Sequence, residues 1–169
     1  PTPLALRRPA PGVVEGALTV AMADTALAGR LARLMTYNGL LPGPLIRVKR
    51  GDTLRLKLSN ELPPSSTVNL LGHRSDLTNL HTHGWHVSPE DPADNVLRPV
   101  PAGDSWTYSY DLSRQPQGTM GWYHPHVHGL VAEQLWQGLA GPLIVEDESP
   151  LLADFETHVM VLKDFALAA

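Results

Sequence analysis

Between Thr53 and Asn60 the chain alternates without a break: Leu54, Leu56 and Leu58 are apolar, and Arg55, Lys57 and Ser59 between them are polar. A period of two places every second side chain on one face of an extended strand, so this run is a half-buried strand and not an amphipathic helix. The pattern begins upstream at Ile46 and Val48, ahead of a turn at Arg50-Gly51-Asp52, and returns at Trp106, Tyr108 and Tyr110 within Ser105 to Leu112. Further strand candidates are Val13 to Ala23, Gly29 to Asn38, Asn79 to His81, Gly118 to His124, Gly141 to Glu146 and His158 to Asp164. The 16 prolines and 14 glycines punctuate these runs, as at Tyr37-Asn38-Gly39 and Leu41-Pro42-Gly43-Pro44. Long loops are expected over Glu61 to Thr78 and Ser88 to Gly103. One stretch, Leu130 to Gln137, lacks both residues and stops at Gly138, which predicts a single short helix. The fold class is therefore all-β, a sandwich or barrel with one short helix, Greek-key by analogy with most such sandwiches.

At 169 residues the chain has room for one domain of typical size and a little more. Its formal net charge of −4 advertises no basic face and disfavours a nucleic-acid role. No apolar run approaches the roughly 18 residues needed to span a bilayer. Cysteine is absent, which excludes disulfides, thiolate nucleophiles, Cys-ligated zinc or iron–sulfur sites, and a blue-copper site carried wholly by this chain. Histidine, aspartate and glutamate are the strong metal ligands that remain.

Six of the eight histidines fall in two short clusters, His81-Thr82-His83-Gly84-Trp85-His86 and His124-Pro125-His126-Val127-His128. On a strand, residues i and i+2 share a face with Cα atoms about 6.6 Å apart, so each His-x-His presents two imidazoles side by side. Such pairs suit two neighbouring metal ions. Imidazole without thiolate serves Zn, Cu, Ni or Fe, and composition alone does not choose among them. His81, His83, His124 and His126 are the candidate ligands. His86 and His128 extend the pattern and are assigned a supporting or loop role, while His73 and His158 are expected to be solvated. Two hydrolase readings fail: an eight-unit β/α barrel needs more chain than this, and the metallo-β-lactamase signature requires an Asp where Trp85 stands.

The segments NLHTHGWHVSP (Asn79 to Pro89) and GWYHPHVHG (Gly121 to Gly129) resemble the two N-terminal copper signatures of the multicopper oxidases. YNGLLPGP (Tyr37 to Pro44) followed by IRVKRGDTLRLKLSN, then PAGDSWTY, then GLAGPLIVED resemble the first cupredoxin domain of that family in the same order, over about Val13 to Asp147. The VLKD near the end is similar to the opening strand of the second domain. The resemblance implies an N-terminal arm over 1–12, a first cupredoxin domain over 13–148, and a linker with the first strand of a further domain over 149–169. It also implies a laccase-like enzyme, in which one-electron oxidation of a small reducing substrate (phenol, amine or metal ion) is coupled to reduction of O2 to water. His81 would then ligate a type 2 copper, and His83, His124 and His126 a type 3 pair. These are half of a trinuclear cluster whose other ligands come from the remaining cupredoxin domains of the same protein. This chain alone would be inactive. Asp94, in the loop after the first motif, would deliver protons to the cluster, with Asp91 as its alternative. Trp85 and Trp122 are expected to pack around the metals. Export to the periplasm or extracellular space is likewise implied. The contrasting reading is a copper-free cupredoxin scaffold, which would not need all four histidines. Thr82, Trp85 and His86 depart from the usual pattern, and Val68 to Leu77 looks like an insertion.

Overall fold

The structure, a computed structural model, describes residues 1–149, 151 and 154–166. Among these, nine strands and one helix follow one another as β1 (Arg7–Ala10), β2 (Val13–Leu27), β3 (Arg30–Tyr37), β4 (Ile46–Val48), β5 (Thr53–Asn60), β6 (His81–His83), β7 (Ser105–Asp111), β8 (Met120–His124), α1 (Val131–Gln137) and β9 (Gly141–Val145). They build two mixed sheets. One runs β1-β2-β5-β7 with β3 also on β2, and the other runs β4-β9-β8-β6.

The alternation in β5 does what its period demands. Leu54, Leu56 and Leu58 are fully buried, and their partners on β7 across the ladder are Tyr110, Tyr108 and Trp106. From the other sheet Ile46, Val48, Tyr123, Leu143 and Val145 meet them, and together they make one core. Such burial contributes on the order of 2 kcal/mol per large side chain. β2 is longer than expected because, besides β1 at its start, it serves two further partners in turn. Its first half pairs in parallel with β5, its second half antiparallel with β3, and Val20 contacts both Asn60 and Tyr37. The helix forms where expected and ends at Gly138, whose N–H donates back to Gln134 and Leu135 carbonyls. No helix among the described residues is long and apolar enough to cross a membrane.

The two ends of the chain differ from the simplest expectation. Within the arm over 1–12, Arg7–Ala10 is a strand on β2, and Leu4 and Leu6 pack against the core. Arg8 fastens it. Both its terminal nitrogens donate to Asp52, at 2.8 and 2.9 Å, and Asp52 also accepts the Lys49 N–H at 2.8 Å. Burial pushes the Asp52 carboxyl up, but the Arg8 and Lys49 hydrogen bonds outweigh it and hold its pKa below the usual range. Asp52→Ala is expected to cost about 1–2 kcal/mol, because it removes the acceptor of the Lys49 N–H and unpairs Arg8. A depressed carboxylate pKa stabilises the fold above its unfolded value near 3.9 and loses that contribution as the pH falls. Thermal unfolding should therefore separate variant from wild type at pH 7, and the gap should narrow below about pH 4. At the other end, the strand expected over His158 to Asp164 makes no ladder. β8 and β9 already have partners on both sides, so the segment can approach only their outer face. There Lys163 Nζ donates to the Leu135 carbonyl at 2.6 Å, while Met160 and Leu162 face solvent.

Candidate metal centre

β6 and β8 run antiparallel with His81 opposite His124, Thr82 opposite Tyr123 and His83 opposite Trp122. Because side chains alternate, this register sends the Thr82 and Tyr123 side chains into the protein, where both residues are buried. His81, His83, Trp122 and His124 take the outer face. His126, two residues beyond His124, joins them. The four candidate imidazoles form one open array: ring centroids are 5.0 Å apart for His81 and His126, 5.2 Å for His81 and His124, 5.9 Å for His81 and His83 and for His124 and His126, and 6.1 Å for His83 and His124. Trp122 lies against two of them, at 5.2 Å from His83 and stacked at 4.1 Å on His124. Close approach of β6 to β8 requires Gly121, since a Cβ there would stand 2.6 Å from the His83 carbonyl and 3.2 Å from the Trp85 ring. Trp85 is buried behind the site.

Two of the four rings, His81 and His124, are aimed by a hydrogen-bond partner. His81 Nδ1 donates to Asp94 Oδ2 at 2.7 Å, and the other Asp94 oxygen accepts the Thr82 N–H at 2.9 Å. Since a carboxylate only accepts, Asp94 holds the proton of His81 on Nδ1 and leaves Nε2 as the nitrogen turned to the array for a metal. His124 Nδ1 donates to the Pro125 carbonyl at 2.8 Å, which leaves Nε2 as a lone pair that is buried and has no hydrogen-bond partner. Burial lowers the His124 pKa to about 4; the Pro125 bond opposes this and the neighbouring imidazoles reinforce it, so the ring is neutral near pH 7. A buried, neutral, unpartnered imidazole nitrogen is costly unless something binds it. A metal ion fits that description. Among the described residues no three His, Asp or Glu side chains converge closely enough to hold one ion alone, so the array offers each ion only part of a ligand set.

Asp91, the alternative to Asp94, is spent elsewhere: it pairs with Arg98 and accepts from Asn95 at 3.1 Å. His86 is exposed and its backbone N–H donates to buried Gln115. His158 lies far out on the trailing segment, near Glu156 and largely exposed. His73 is not simply solvated. It is half buried, with its ring edge-on to His128 at 5.6 Å. Asn69 of the same loop donates to the Gly129 carbonyl at 2.6 Å.

Two packed mixed sheets with a histidine array on the outer face of one of them define a cupredoxin-like β-sandwich. The chain belongs to the multicopper oxidase family, whose model matches residues 19–150. It is 34% identical over 139 residues to Laccase-2 of Thanatephorus cucumeris, covering 80% of this chain and 21% of that protein. Copper resistance protein A of Pseudomonas syringae pv. tomato is 31% identical over 161 residues, covering 93% of this chain and 24% of that protein. Among solved structures, a multicopper oxidase from Campylobacter jejuni, described as a metallo-oxidase, superimposes with a TM-score of 0.71 at 27% identity, over 88% of this chain and 29% of that one. A multicopper oxidase from Pediococcus acidilactici gives 0.70 at 27% identity, over 87% and 28%. The chain thus spans under a third of the length of these relatives. Membership in this family implies copper as the metal.

Proposed function

We propose that this chain is the first cupredoxin domain of a laccase-like multicopper oxidase and supplies half of the imidazoles of a trinuclear copper cluster. The observation that carries the reading is the buried, unpartnered Nε2 of His124 within an array of three further imidazoles. In this reading His81 holds a type 2 copper, and His83, His124 and His126 hold a type 3 pair. The other four ligands come from another cupredoxin domain of the same protein, and residues 149–169 lead toward the domain between them. Coppers bound there would supply the reduction of O2 to water, with electrons drawn singly from a phenol, amine or metal ion.

This chain's own residues prepare that chemistry. Asp94 fixes the His81 tautomer and anchors the backbone of Thr82, so its first task is orientation. Its position at the edge of the array also suits it to hand protons toward the coppers, which a buried O2-reducing site must receive. Trp122 covers the ring of His124 and keeps water from one side of it. Export belongs to the same reading and rests on the family likeness.

Carbethoxylation of the multi-domain protein tests the ligand set. His83 and His126 are exposed in this domain, so diethyl pyrocarbonate should label them in the copper-free protein and fail to label them once copper is bound. His86 and His158 should react equally in both. Equal labelling of His83 and His126 with and without copper would overturn the assignment.

A further inference from the structure

Asn79 lies two residues before His81 and is fully buried, yet it is neither a ligand candidate nor part of the core. Both ends of its side-chain amide are engaged, and with different segments. Oδ1 accepts the backbone N–H of His126 at 2.5 Å, and Nδ2 donates to the Val96 carbonyl at 2.7 Å. Val96 sits two residues after Asp94, on the loop whose carboxylate aims His81. One side chain therefore ties together the strand that carries the first histidine pair, the segment that carries the second, and the loop that orients His81.

The backbone beneath Asn79 is itself fixed. Thr78 and Val100 exchange N–H···O bonds at 3.2 and 2.7 Å. Buried Gln134 of α1 donates to the Leu77 carbonyl at 2.6 Å and accepts from Thr78 Oγ1 at 3.1 Å. Leu80, next in the chain, donates its N–H to the Tyr108 hydroxyl at 3.0 Å. His126 lies beyond the end of β8, with no ladder partner to hold its main chain. The Asn79 amide is the side-chain contact that substitutes for one.

We infer that Asn79 is a positioning residue of the metal centre beside Asp94: it fixes the main chain of His126 relative to His81 and couples that placement to the Asp94 loop. The inference rests on the reading of His126 as a copper ligand. A ligand's orienting partners typically matter 10–100-fold in metal affinity, and here the orienting bond acts on the ligand's backbone instead of its ring.

The test uses the multi-domain protein in wild-type, Asn79→Ala, Asn79→Asp and His126→Ala forms. In the copper-free protein, Asn79→Ala should speed hydrogen exchange of the His126 amide about tenfold or more, with Tyr123 and Leu143 amides unchanged. Copper affinity should fall on the order of tenfold or more, with kcat reduced and KM for the reducing substrate unchanged. Unchanged His126 exchange, or faster exchange with wild-type copper affinity, would overturn the role of Asn79. Should the Tyr123 and Leu143 amides also exchange faster, Asn79→Asp decides: it keeps the acceptor for the His126 N–H, so copper binding above that of Asn79→Ala supports the inference, and equal loss overturns it. His126→Ala separates the two claims, because full copper content in that variant refutes the ligand reading itself.

Discussion

His83→Ala and His126→Ala, each made in the multi-domain protein, will lose bound copper and reduce O2 consumption by on the order of a hundredfold or more, while His158→Ala will match wild type. The magnitude follows from what each substitution removes. Loss of a residue that merely orients a ligand costs 10–100-fold, and a ligand itself is worth no less. Both rings stand at the exposed side of the array, so truncating them leaves no buried cavity and the fold should survive. His158 is the fitting control, since its ring is 73% exposed and its neighbour is Glu156 rather than any ring of the array. Asp94→Asn should give an intermediate loss, because the amide no longer enforces the Nδ1–H form of His81 that a carboxylate requires. Metal analysis with oxygen-electrode rates on the same preparations checks all four variants. Equal copper content in His126→Ala and His158→Ala would sink the assignment.

Gly141→Ala will destabilise the domain by several kcal/mol. Gly141 faces Tyr123 across the β8–β9 ladder, and an added Cβ would lie 2.3 Å from the Tyr123 ring and hydroxyl. The ring cannot step aside cheaply. Its hydroxyl donates to the Pro44 carbonyl at 2.7 Å, and Tyr37 packs edge-on at 5.0 Å. Overpacking of this kind costs about 1–3 kcal/mol, and a broken buried hydrogen bond adds about 1–3 kcal/mol more. A fall of roughly 10 °C in Tm is the expected result for a chain of this size. A double-mutant cycle with Tyr123→Leu gives the mechanism: if the clash is the cause, the pair will cost clearly less than the sum of its parts. A Tm within about 2 °C of wild type for Gly141→Ala would contradict the packing described.

What could be read from the sequence was local. The alternation of Leu54, Leu56 and Leu58 is a property of neighbours along the chain, and so is the Pro- and Gly-free stretch that became α1. The histidine clusters were visible for the same reason. That the resemblance to multicopper oxidases extended from the His motifs to the segments before and after them is matched by the family's coverage of residues 19–150. What stayed hidden depends on pairings between distant residues. Nothing near Val20 announces that β2 leaves β5 for β3 there. Asp91 and Asp94 look alike in a Pro-rich loop, and only the fold shows that Arg98 takes the first and His81 the second. Asn79 gave no signal either, because its two partners lie 17 and 47 residues away. The contact of His73 with His128 is likewise invisible locally, since it depends on a loop that folds back through Asn69.

The three-residue pairing of β6 with β8 has a consequence for folding errors. A strand's two faces exchange roles when its register slips by one residue. Shifting β6 by a single step against β8 would turn Thr82 toward the outer face and drive His81 and His83 into an apolar interior, where Asp94 could no longer reach the His81 ring. No slipped form keeps one good ligand and loses another; both are misplaced together. The first histidine pair is therefore an all-or-none product of strand alignment, and on the proposed ligand set copper, by binding the correctly aligned chain alone, would act as a proofreader of the fold that carries it.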